Sequence, residues 1–182
     1  MNRFCSATLC LLTLLAVAIP SWAKGDMVLL EIMGGNLPST IKITDPKIGD
    51  FNIWDGPGVN GVAVEQGEGF IINWKAGVVL EPQPEVEHYQ VAFYAGCRTI
   101  PDDPKCLAEK PHLVYVVLYD YDPKSKQGFV YLPRVKEPWW GGLNGGSIYR
   151  GGIEGHWFHA TDAWLSFVEP ILDRATSVVS AR

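Results

Sequence analysis

Apolar and polar positions alternate in short runs along most of the chain and change period only near its end. The densest run is 112–132 (HLVYVVLYDYDPKSKQGFVYL). Val, Leu and Tyr dominate up to Asp120, a polar turn fills 122–128, and Phe129-Val130-Tyr131-Leu132 resumes the apolar run. β-Branched and aromatic side chains fit a pleated surface, and Pro with Gly between two such runs predicts a hairpin. Residues 27–33 (MVLLEIM) predict a continuous, centrally placed strand, and 39–44 (STIKIT) a strand of period two with one wet face. Residues 69–74 (GFIINW) and 87–95 (EHYQVAFYA) predict two more. Residues 147–150 and 155–160 predict a last short pair, joined by a turn at Gly151-Gly152-Ile153-Glu154. Asp45 before Pro46 is a helix start, cut short by Gly49 and by Asp55-Gly56-Pro57-Gly58. The segment 133–146 sets glycines and prolines around Trp139-Trp140 and predicts a long surface loop.

After Thr161 the period becomes helical. Ala163, Trp164, Phe167, Val168, Ile171, Leu172 and Ala175 form one apolar stripe. Thr161 is placed to cap this helix, and Asp162 sits in the first turn, where the helix dipole favours a carboxylate. Pro170 removes one backbone bond, at a cost of ~3 kcal/mol in a helix interior, and predicts a kink or break. The whole pattern predicts an α+β domain dominated by β. It would be an antiparallel sheet or sandwich, or a partly closed barrel, of about 6–8 short strands, with one C-terminal amphipathic helix.

The first 23 residues change the compartment. A basic start (Met1-Asn2-Arg3) leads into an apolar run, which ends at Pro20-Ser21-Trp22-Ala23 with small residues at Ser21 and Ala23. That layout is a secretory signal peptide cleaved after Ala23. The run is shorter than the ~20 residues a spanning helix needs, so no membrane span is expected after cleavage. Residues 24–182 then form a single secreted or periplasmic domain. Cys5 and Cys10 leave with the leader. Cys97 and Cys106 remain, and an even pair in an exported chain predicts a disulfide. Closing so short a loop contributes about 2.5–3 kcal/mol. The formal charge of −5 becomes one unit more negative when Arg3 is removed. With its lysines scattered, the chain has no footprint for nucleic acid.

Candidate chemistry is sparse. Glu154, His156 and His159 (E-G-H-W-F-H) are the weak catalytic candidates. Residues at an odd offset in a strand point to opposite faces, and no third ligand is in sequence reach, so no metal site is expected. Asp50, Asp55, Asp120, Asp122 and Glu137 lie near aromatics, where two carboxylates facing a cleft would split a glycosidic bond. Asp before Gly or Pro already has work as a turn former. Gly145-Gly146-Ser147-Ile148-Tyr149 approaches a nucleophile elbow and fails at its last position. No glycine cluster follows a strand and opens a helix, so no cofactor loop is expected.

Aromatics carry the clearer signal. Trp54, Trp139, Trp140, Tyr149 and Trp157 lie in or beside glycine-rich segments. Rings so placed stack on sugars or anchor a protein partner; otherwise they fold back and cap the core. The leading expectation is an exported binding protein whose loop aromatics contact a carbohydrate, a peptide or an envelope partner. The competing expectation is a small secreted hydrolase of envelope or polysaccharide substrates that works through carboxylates or histidines.

Overall fold

A computed structural model describes residues 25–58, 70–80, 86–96, 110–137 and 140–180. Residues 1–24, Trp139, Cys97 and Cys106 lie outside these residues, and with them the expected leader, its cleavage site and the disulfide. Seven strands form one antiparallel sheet: β1 (Met27–Gly34), β2 (Ile41–Ile43), β3 (Val78–Val79), β4 (Glu87–Ala95), β5 (His112–Asp122), β6 (Gln127–Tyr131) and β7 (Trp157–His159). Their spatial order is β2-β1-β4-β5-β6-β7-β3. A short helix α1 (Gly141–Ser147) and a long C-terminal helix α2 (Asp162–Ser180) complete it. Among the described residues, no helix is long and apolar enough to cross a membrane.

The 112–132 hairpin forms as its pattern predicts, with Asp122 opposite Gln127 across the turn. Asp122 accepts from the Lys124 N–H at 2.9 Å and the Ser125 hydroxyl at 2.6 Å, which satisfies the bend locally. The long strand β5 and its neighbour β4 make the centre of the sheet. Strand alternation then divides the molecule. Tyr89, Val91, Phe93, Tyr115, Val117, Tyr119, Val130 and Phe158 point to one face and are all buried. Helix α2 covers that face with Trp164, Val168 and Leu172, and Trp164 meets Tyr119 edge-on at 5.8 Å. Phe51, from the 3₁₀ turn Pro46–Phe51, closes the layer against Trp164 at 5.2 Å. Asp45 caps this turn, as its sequence predicts.

The architecture is the expected one, α+β and β-dominated, with seven antiparallel strands and a C-terminal helix; of the expected arrangements it is the open sheet. Its edges are the two- and three-residue strands β3 and β2, and edges this short already limit stray pairing. Strand β1 is second from one edge rather than central. Of the strand expected at 69–74, the described residues 70–74 give only an isolated bridge, Ile72 with Ala160; Asn73 then caps a 3₁₀ turn, Trp74–Ala76. Residues 147–150 form no strand. Part of the expected loop at 133–146 is helix α1. Helix α2 runs through Pro170 without a break. Pro170 lies on the solvent side, and the carbonyl it leaves without a partner, that of Ser166, belongs to an exposed residue where water can bond it.

Arg150 ties the irregular segments to the core. Its guanidinium donates to the carbonyls of Ile53 (2.6 Å), Asp55 (2.9 Å) and Pro57 (3.1 Å). It lies 5.1 Å from the ring centres of Phe70 and Trp74 and 6.0 Å from that of Tyr115. Among the described residues no carboxylate meets this buried guanidinium, which is held by three carbonyl dipoles and three π-faces. The chain passes close by: a Cβ on Gly58, at φ 77°, would lie 2.3 Å from the Arg150 Cα.

Candidate functional site

The face of the sheet opposite α2 carries the side chains that alternate with the core. Register aligns them in two rows. One row runs Met33, Gln90, Leu118, Tyr131, Trp157 and Val79, on six successive strands. The other runs His88, Asp120, Phe129 and His159. Tyr131 and Trp157 are half-buried with ring centres 5.2 Å apart, and Phe129 and His159 lie 5.2 Å apart. Ring pairs of this kind contribute about 0.5–1.5 kcal/mol beyond their buried area. Leu118, between Gln90 and Tyr131, remains 37% exposed. From Gln90 to Trp157 the row crosses three interstrand steps, roughly 14 Å. It is a shallow apolar strip with polar groups on both sides.

Helix α1 adds a further ring. Asn144 is 2% exposed; its side-chain oxygen accepts from the Val116 N–H at 2.9 Å and its NH2 donates to the Val116 carbonyl at 2.7 Å. Strand β6 has already ended at Tyr131, opposite Leu118, so the carboxamide pairs with the β5 backbone in place of a strand residue. This docking sets Trp140, which opens α1, over the sheet, where its indole N–H donates to the Gln90 side-chain oxygen at 3.2 Å. Four of the seven residues of α1 are glycine (GGLNGGS), a costly composition for a helix. The tertiary bonds of Asn144 and Trp140 offset that cost. Gly141 is required where it stands, because a Cβ there would lie 1.9 Å from the Arg134 carbonyl oxygen.

Polar groups are fixed beside the strip. His88 Nδ1 lies 2.9 Å from Asp120 Oδ1. Asp120 is nearly buried and His88 mostly exposed, so the carboxylate orients the ring and leaves Nε2 toward solvent. Burial pushes the Asp120 carboxyl above its ordinary pKa, and the His88 bond opposes this. Such a pair can act as a general base on water or hold a hydroxyl. The Tyr131 hydroxyl donates to Glu137 at 2.6 Å; burial and that carboxylate together push Tyr131 up to about 12. At the far side, Glu31 binds the Lys42 ammonium at 2.7 Å and the Tyr94 hydroxyl at 2.8 Å, and both partners hold its carboxyl below the usual value.

The structure gathers some of the sequence candidates and separates others. Trp140 and Trp157 lie on the same face of the sheet, at opposite ends of the strip. Trp54 packs against the core and donates its indole N–H to the Gly25 carbonyl at 3.0 Å. Tyr149 is 58% exposed beside the Gly151-Gly152 turn. The carboxylate of Glu154 accepts from the backbone N–H groups of Arg150 and Gly152, so it closes the turn that buries Arg150. His156 is exposed, with Nδ1 3.3 Å from the Ile153 carbonyl, while His159 stacks on Phe129 on the open face. Among the described residues, no group of three His, Cys, Asp or Glu side chains could hold a metal ion. Tyr131, Phe129, Gln90, Leu118 and His88 are members that the sequence reading did not single out, whereas Asp120 was among its carboxylate candidates. The alternation Phe129-Val130-Tyr131 signals the two outward rings, but only register tells which partners they meet.

Comparison of the chain with protein-family models, with characterised proteins and with solved structures gives no match.

Proposed function

We propose that the protein is an exported binding domain that takes a carbohydrate chain across the open face of its sheet. The observation that carries this reading is the in-register strip Gln90–Leu118–Tyr131–Trp157, with Trp140 bonded to its Gln90 end. Aromatic faces stack on the apolar faces of sugar rings, and the groups flanking the strip are hydrogen-bonding side chains able to meet hydroxyls. The strip is long and shallow, as an extended ligand requires. Residues 1–23 supply the export signal that would bring it to external or envelope saccharides.

The test is a titration of the oxidised domain, residues 24–182, with a panel of soluble polysaccharides, followed calorimetrically. Wild-type protein binds at least one member, and Tyr131→Ala or Trp157→Ala weakens that binding about tenfold each, the equivalent of 1.4 kcal/mol. A correctly folded double variant that binds every polysaccharide as the parent does would sink the reading.

A hydrolytic reading has one specific observation in its favour, the oriented His88–Asp120 pair at 2.9 Å beside the strip. It predicts slow release of reducing ends from the bound polysaccharide, abolished in His88→Ala. Undiminished release by that variant would exclude the pair as the base.

A further inference from the structure

The side chains of the open face repeat at the spacing of the strands. On each of β4, β5, β6 and β7 one residue belongs to the strip, and the residue two places away on the same strand belongs to the flanking row. The pairs are Gln90 with His88, Leu118 with Asp120, Tyr131 with Phe129, and Trp157 with His159. Every strand thus offers one floor position and one edge position. Successive positions are one interstrand step apart, about 4.8 Å, which is close to the length that one pyranose unit adds to an extended chain. Both ends of the array are marked. At the Gln90 end the Trp140 indole stands over the sheet, bonded to the Gln90 side-chain oxygen at 3.2 Å. Past Trp157 the sheet has only β3, an edge strand of two residues.

Linkage chemistry decides which sugars such an array can take. Where both bridging oxygens of a pyranose are equatorial, as in a β-1,4-linked glucan, the chain runs straight. Each ring then shows flat C–H faces and carries its hydroxyls at the edges. An axial bridge, as in an α-1,4-linked glucan, bends the chain into a coil. Only the straight chain keeps one ring over each strand along a row of four. The row also turns, because adjacent strands are rotated by roughly 20–25°. A single chain follows that turn by small torsions at each bridge, whereas a chain packed in a crystalline fibre is held flat.

We infer that the open face selects single, soluble, equatorially 1,4-linked pyranose chains and spans four sugar units, one above each of β4, β5, β6 and β7. This rests on the carbohydrate-binding reading above and adds the linkage class and the length. The ring faces lie on Leu118, Tyr131 and Trp157, each of which keeps part of its surface open. Hydroxyls along one edge of the chain meet His88, whose ring is mostly exposed, at one end and His159 at the other.

The experiment titrates the oxidised domain calorimetrically with oligosaccharides of two to six units. The β-1,4-linked series are those of glucose, xylose and N-acetylglucosamine, and the α-1,4-linked series is that of glucose. At least one β-1,4 series should gain affinity with each unit up to four and less than about twofold beyond. At equal length it should bind about tenfold or more tightly than the α-1,4 series. Trp157→Ala, at the end of the row, should reduce the tetramer to the affinity that the parent has for the trimer. Tyr131→Ala, inside the row, should weaken trimer and tetramer alike. The length series on the parent is decisive by itself, whether or not the variants fold. Affinity that stops rising at two units, or keeps rising to six, overturns the inference, as does equal binding of the α-1,4 series. If a polysaccharide binds but no β-1,4 oligomer does, the inference falls and the binding function stands; if nothing binds, both fall.

Discussion

Replacing Asn144 by alanine removes the carboxamide that stands in for a strand. Two bonds are lost, at 2.9 and 2.7 Å, and both partners are the N–H and carbonyl of Val116, a residue with no exposed surface. An unsatisfied buried backbone group costs about 1–3 kcal/mol, so two cost roughly 2–4 kcal/mol after some relaxation. That is a large share of the 5–15 kcal/mol typical of a domain. At about 2–4 °C per kcal/mol for a chain of this size, Tm should fall by roughly 5–15 °C. Because α1 is rich in glycine, it should also undock, and the Trp140 indole should move into water. Urea titration followed by far-ultraviolet circular dichroism gives the global term, and indole fluorescence gives the local one. Asn144→Asp sharpens the test. Its ionised carboxylate cannot donate to the Val116 carbonyl, but its protonated form can. Burial raises that carboxyl's pKa above the unfolded value, so the variant should gain stability as pH falls through the raised pKa. An Asn144→Ala variant within about 0.5 kcal/mol of the parent, with Trp140 unmoved, would refute the pseudo-strand argument.

Four further outcomes follow from the same geometry. Gly142→Ala and Gly146→Ala place a Cβ in open space and should each stabilise α1 by about 0.5–1 kcal/mol, measured by urea midpoint. Arg150→Lys keeps the charge but cannot span three carbonyls; it should cost about 2–4 kcal/mol and show first as faster proteolysis at 53–58. Pro170→Ala restores a backbone bond to the Ser166 carbonyl and should raise stability by roughly 1–3 kcal/mol in thermal unfolding. Glu31 has a depressed carboxyl pKa, which gives stability that is present above the unfolded value of 4.5 and lost as pH falls through the folded value. Glu31→Gln should therefore be less stable than the parent near about pH 7 and indistinguishable from it near about pH 2.

The elements that could be read from the sequence are those whose information is local. The hairpin at 112–132 has its own turn chemistry in Asp122 and Ser125, and the C-terminal helix has its cap in Thr161 and its stripe through Leu172. The Asp45-Pro46 start is likewise self-contained. Misreadings fall where tertiary contacts override local preference. Helix α1 forms from a sequence that local rules assign to a loop, because Asn144 finds the free backbone of Val116. Residues 147–150 look like a strand, but Arg150 is drawn inward by three carbonyls and Glu154 closes the turn behind it. The number of neighbours a strand will have is not written in its own pattern, so the sequence leaves an open sheet and a closed one as alternatives, and the structure takes the open one. The candidate site divides in the same way. Trp140 and Trp157 stand out as aromatics near glycine, whereas Tyr131 reads as an ordinary strand residue. Its place between Leu118 and Trp157 is a matter of register alone.

The most direct test of the open face as the binding surface is a titration read at the tryptophan indole N–H resonances of the ¹⁵N-labelled domain. Trp140 and Trp157 lie on that face, Trp54 is bonded to the Gly25 carbonyl, and Trp74 and Trp164 are buried. On addition of a polysaccharide that binds, the Trp140 and Trp157 signals should shift together and saturate, while those of Trp74 and Trp164 stay still. Saturable binding that leaves Trp140 and Trp157 unmoved would contradict the account and place the ligand elsewhere on the molecule.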